Sequence, residues 1–105
     1  MEFKNRIVYN TTKEMEKLLN GESKYLSDLI VDIALQNLKT RKKEIPVLQI
    51  VTKDTDCIYD IIIDREDMIE TLEINLDTMQ DFEDYERCSL IVNALDYLKS
   101  KVKKS

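Results

Sequence analysis

The reactive side chains of this 105-residue chain are mostly carboxylates, twenty-one Asp and Glu with no histidine at all. Asp54 and Asp56, with Asp60 and Asp64 downstream, offer hard oxygen ligands of the kind that hold Mg²⁺ or Ca²⁺. Their spacing is not that of an EF-hand loop, which needs a glycine at its sharp turn and a closing glutamate. An Asp-x-Asp after a strand also suits an aspartyl nucleophile in phosphoryl transfer, but that chemistry needs a larger doubly wound domain. A polar turn between two strands accounts for Asp54-Thr55-Asp56 without any ligand.

Other chemistries fail for want of parts. Without histidine there is no Ser-His or Cys-His nucleophile pair and no imidazole ligand. Gly21 is the single glycine, too few for a phosphate-binding loop, a dinucleotide fingerprint or a nucleophile elbow. No tryptophan is present, and no basic strand with interleaved aromatics offers a stacking platform for single-stranded nucleic acid. Cys57 and Cys88 lack the C-x-x-C spacing of a metal or redox pair and read as reduced, buried small hydrophobes. The expectation is a protein that is not an enzyme and carries no cofactor and no metal.

Charge is the uneven feature. Residues 54–86 hold thirteen acids against Arg65 alone, a charge of −12, whereas residues 1–53 and 87–105 carry +3 and +4. Solvated faces and acidic first turns of helices explain part of this run. A single acidic surface explains it better if the carboxylates converge, because such a surface attracts a basic partner and loses affinity in salt. The residues assigned to it are Asp64, Glu66, Asp67, Glu70, Glu73, Asp77, Asp81, Glu83 and Asp84. Tyr59, Phe82 and Tyr85 lie inside the run as candidate interface anchors, with Tyr59 also suited to a core.

The elements that must position these groups follow from periodicity. Residues 3–9 alternate as a short strand, with Phe3, Ile7 and Tyr9 on one face. Thr11 and Glu14 form a capping box that opens a helix, and Asn20-Gly21 stops it. Ser23 begins a longer helix whose apolar side runs from Leu26 through Leu38. Lys39, Arg41, Lys42 and Lys43 at its end offset the helix dipole, and Pro46 closes the segment. Val47–Lys53 and Cys57–Asp64 form a hairpin, with Cys57, Tyr59, Ile61 and Ile63 facing inward.

Residues 65–79 carry two periods at once. Met68, Leu72, Leu76 and Met79 suit a helix, which is preferred, while Leu72, Ile74 and Leu76 alternate as a strand would. A final helix starts near Asp81, and its Cys88, Ile91, Leu95, Leu98 and Val102 follow heptad spacing. That face serves the protein's own core or, as an alternative, a homodimer seam through Ile91, Leu95, Leu98 and Val102.

The fold expected is α+β over a single domain 1–105. A small antiparallel sheet centred on hairpin 47–64, with 3–9 and 70–77 as further candidate strands, packs against three to four helices. One glycine and one proline argue for such long regular elements over a many-stranded barrel or sandwich. The N-terminus has no apolar signal region, and no stretch reaches the ~20 apolar residues of a membrane span, so a cytoplasmic location is expected. The function expected is non-catalytic binding of a basic protein through the acidic middle third, as an inhibitor or a mimic of nucleic acid. Neither direct nucleic-acid binding nor membrane association is expected; a small assembly protein or a carboxylate-metal enzyme are the alternatives.

Overall fold

The computed structural model describes residues 2–20 and 24–103, the side chains of 102 and 103 excepted. Strand β1 is Arg6–Tyr9, shorter than the alternation at 3–9 predicts, and helix α1 is Thr12–Leu19. Thr11 caps the helix as the spacing predicts, with Glu14 N–H donating to Thr11 Oγ1, while the Glu14 carboxylate accepts from that hydroxyl. Asn20 is the C-cap of α1; Gly21 and the expected helix start at Ser23 lie outside the described residues. Helix α2 is Tyr25–Gln36 and buries Val31 and Ala34 completely.

Strands β2 (Glu44–Thr52) and β3 (Cys57–Asp64) make the expected hairpin, with Thr52 opposite Cys57 across the turn. Pro46 does not close the preceding segment; it lies inside β2. The register explains how: Pro46 faces Ile62 and Leu48 faces Ile61, so Val47 is an extra residue and the strand bulges there. A bulge is one of the few places a strand tolerates a residue without N–H.

The sheet order is β1-β2-β3, and β1 runs parallel to β2. The sheet is therefore mixed, not antiparallel as expected. Parallel neighbours need a long crossover, and α1 and α2 provide it. Neither joins β1 to β2 by a turn, so nothing local in the sequence announces the pairing.

The ambiguity at 65–79 resolves to helix. A short 3₁₀ turn, Arg65–Asp67, leads into α3, Met68–Asp81, and the candidate strand 70–77 does not form. Met68, Leu72, Asn75 and Met79 are buried at steps of four, three and four, the helical period. The alternating Ile74 is left 59% exposed. Asn75 survives burial because both ends of its amide are used. It accepts from Ser27 Oγ and donates to the Thr71 carbonyl at 2.8 Å, which avoids the penalty of an unmade bond.

Helix α4, Tyr85–Lys103, begins four residues later than the predicted Asp81, which instead ends α3. The break is a left-handed helix stop. Asp84 N–H reaches back to the Met79 carbonyl at 2.8 Å and Glu83 N–H to Gln80 at 3.1 Å, with Glu83 at φ 59. Glycine is the usual residue there, because it adopts positive φ without a Cβ clash. Asp84 then accepts from Arg87 N–H at 3.2 Å and so caps α4.

One apolar cluster joins sheet and helices, from Met15 and Val31 through Leu48, Ile50 and Ile63 to Leu72 and Ile91. Burying each such side chain stabilises by ~1.5–3 kcal/mol. The helices cover one face of the sheet. On the other, the in-register row Val8, Val51, Ile58 is open, with Ile58 62% exposed. Among the described residues no helix is long and apolar enough to cross a membrane.

Candidate functional site

The spacing that buries one side of α3 turns its acids to the other. Glu70, Glu73, Asp77 and Asp81 follow steps of three, four and four and are all exposed, so they form one stripe along the outward face. Asp64 at the end of β3 and Glu66 and Asp67 in the 3₁₀ turn are exposed at the helix N-terminus, where negative charge suits the dipole. Glu83 is exposed just past the other end. Lys99 Nζ approaches Glu73 Oε2 at 3.4 Å, with both side chains half exposed. That is the one ion pair on this stripe among the described residues, and an exposed pair of this kind contributes little.

Arg65, the single base of the segment, does not neutralise the stripe. Its Nε donates to the Lys42 carbonyl at 2.9 Å, Nη1 to Asn37 at 2.8 Å and Nη2 to Thr40 Oγ1 at 2.8 Å. It closes the carbonyl end of α2 and ties the 37–43 loop to the start of α3. Sequence inspection treats it as a lone countercharge; the signal it lacks is any local partner, since all three acceptors lie far upstream.

Asp84 has a different fate from the other acids. Its Oδ2 lies 2.7 Å from Lys24 Nζ and 2.8 Å from Arg87 Nη1. Arg87 also grips Asp32 with two parallel bonds, Nε to Oδ1 at 3.0 Å and Nη2 to Oδ2 at 2.8 Å. Lys24 closes the cluster on Asp28 at 2.8 Å. The hydrogen bonds from Lys24, then those from Arg87, hold the Asp84 carboxyl well below its ordinary value. Asp28 and then Asp84 raise the Lys24 ammonium, and Asp32 and then Asp84 keep the Arg87 guanidinium firmly protonated.

The first aspartate of the Asp-x-Asp is likewise occupied within the fold. Both oxygens of Asp54 accept from Thr12, one from its N–H and one from its hydroxyl, each at 2.9 Å. The bond from the Thr12 N–H is the main cause of its lowered pKa. The turn of the hairpin is thereby docked on the N-terminus of α1. Asp60 accepts from Gln49 Nε2 at 3.1 Å. Among the described residues no three His, Cys, Asp or Glu side chains are gathered as a metal ion would require.

Phe82 and Tyr85 flank the α3–α4 break and are 46% and 66% exposed. Tyr59, expected inside, is partly exposed because β3 is the edge of the sheet. Cys57 and Cys88 are free thiols, half-buried rather than buried. Ile91 and Leu95 are buried in the protein's own core and Leu98 packs against it, which leaves this face of α4 no exposed seam; the side chain of Val102 lies outside the described residues. A cleft of about 510 Å³ opens between the N-terminal segment, α2 and the start of β2, lined by Lys4, Leu29, Asp32, Ile33 and Lys42 among others. Among the described residues it brings no Ser, Thr or Cys to its wall. No protein family, curated protein or solved structure matches the chain.

Proposed function

We propose that the protein is a non-catalytic binding module that uses the acidic surface of residues 64–83 to engage, and by occupancy inhibit, a basic protein. The observation that supports this reading is the exposed stripe Glu70, Glu73, Asp77, Asp81, which has one weak countercharge while Arg65 and Arg87, the bases on either side of α3, are committed elsewhere. Carboxylates spaced along a rigid helix repel one another and receive only the weak Lys99 pair back from the fold; a partner's Lys and Arg supply the missing charge. Phe82 and Tyr85 at the end of the stripe give that partner apolar area to bury. A groove that ordinarily holds nucleic-acid phosphates is one surface of this chemistry.

The test compares position with total charge. Glu70, Asp77 and Asp81 are changed together to Lys, and a control changes the exposed Glu16, Glu44 and Asp96 to Lys. Binding of an oligolysine probe is followed by fluorescence anisotropy across a salt series. The expected result is a loss of tenfold or more for the first set and under about threefold for the second, with affinity falling as salt rises. Equal losses from both sets would mean that net charge, not this surface, does the binding, and the proposal fails.

A further inference from the structure

The acidic segment begins on a strand with a free edge. Arg65 N–H donates to the Lys43 carbonyl at 2.8 Å, and main-chain groups alternate sides along an extended strand. The odd residues of β3 therefore point toward β2, in agreement with the pairs Thr52–Cys57, Ile50–Tyr59 and Leu48–Ile61. On the other side of β2, Gln49 and Lys53 send their N–H groups to Asn5 and Tyr9 at the β1 side. The even residues of β3, Ile58, Asp60, Ile62 and Asp64, are left with N–H and C=O directed at the outer edge, where no fourth strand lies among the described residues.

Proteins usually blunt such an edge with lysine, proline, a bulge or a very short strand. Here the edge strand is eight residues long, CIYDIIID, and contains neither lysine nor proline. The bulge is in β2. What guards the edge is negative charge alone, Asp60 and Asp64, both exposed. That charge decides between occupants. A second copy pairing antiparallel, covered face to covered face, sets Asp60 against Asp60 or within one diagonal step of it, and brings a second −12 segment alongside the first. A strand bearing Lys or Arg meets the same positions with opposite charge.

We propose that the free edge of β3 receives an extended, basic segment of a protein partner as a fourth strand. Its main chain pairs with Ile58, Asp60, Ile62 and Asp64, and its side chains alternate basic and apolar against those four. Strand addition of this kind takes affinity from the main chain and selectivity from alternate side chains. The inference rests on the acidic-surface reading and adds to it the conformation and the pattern of what is bound.

The probe is the nine-residue peptide Val-Thr-Lys-Thr-Val-Thr-Lys-Thr-Val, which sets Val and Lys in turn along one face of the strand, with two isomers, one N-methylated at every Thr and one at every Val and Lys. Because only alternate residues of an added strand face β3, one isomer should lose tenfold or more in affinity and the other should match the parent. The bound parent should also slow hydrogen exchange at the amides of Ile58, Asp60, Ile62 and Asp64. If the parent binds while both isomers bind equally, or while those four amides exchange as before, strand addition is wrong and the acidic-surface reading stands. If the parent does not bind at all, both fall.

Discussion

Two acid-rich regions of this molecule differ in what answers their charge. In the cluster between α2 and α4, three carboxylates, Asp28, Asp32 and Asp84, enclose Lys24 and Arg87, and the ion pairs cross from one helix to the other. Along the outer face of α3, four carboxylates meet only Lys99 among the described residues. The residue types are the same. The cluster fastens two helices to each other, whereas the stripe could be discharged with little effect on the fold.

The contrast is broken most strongly from beneath the stripe. Leu72 is fully buried under α3, and Leu72→Ala should cost about 2–5 kcal/mol in chemical denaturation. Neutralising Glu70 and Asp77 on the far side of the same helix should leave the midpoint unchanged or slightly raised. A large loss from that neutralisation would show that the stripe is structural.

The next effect belongs to the cluster. Arg87→Met leaves Asp32 without its bidentate partner and Asp84 with Lys24 alone, and should cost roughly 1–2 kcal/mol after allowance for partial exposure. Lysine should restore only part of this, because it lacks the planar fork. The cluster also has a pH signature. The folded state holds the Asp84 carboxyl below its ordinary 3.8, so its contribution is complete above that pH and is lost as acid titrates it in the folded protein. Asp84→Asn should therefore flatten the acid limb of the stability profile. An unchanged acid limb would place the titrating groups elsewhere.

A smaller effect sits at the junction of the two regions. Glu83 holds positive φ in the helix stop, and Glu83→Gly should stabilise by about 0.5–1 kcal/mol by removing the Cβ clash. A thermal midpoint that falls would mean that the Glu83 side chain makes a contact worth more than its strain.

What the sequence disclosed depended on how far each residue had to reach. Thr11 with Glu14, and the hairpin across 53–56, are contacts between near neighbours and were readable. The stripe on α3 was readable once a helix was accepted, since Met68, Leu72 and Met79 fix where Glu70 and Asp77 must point. The strand alternative arose because Leu72, Ile74 and Leu76 satisfy two periods, and burial of Leu72 beside exposure of Ile74 chose between them. The break between α3 and α4 was read a few residues early, near Asp81, because glutamate stands at position 83 where glycine would have marked it. Parallel β1, the carbonyl clamp of Arg65 and the pairing of Lys24 with Asp84 join segments distant in sequence, and no local pattern announces them.

The parallel register also sets an order of events during synthesis. Arg6 lies opposite Gln49 and Tyr9 opposite Thr52, so β1 leaves the ribosome without its partner strand, which arrives only after two helices and most of β2 have followed. The hairpin closes over a four-residue turn, and β1 must wait for a much longer loop to close. Pulse-labelled exchange during refolding should see the amides of Ile50 and Thr52, which serve the hairpin, protected before those of Gln49 and Lys53, which serve β1. Simultaneous protection would mean that α1 and α2 are assembled early enough to deliver β1 with the hairpin.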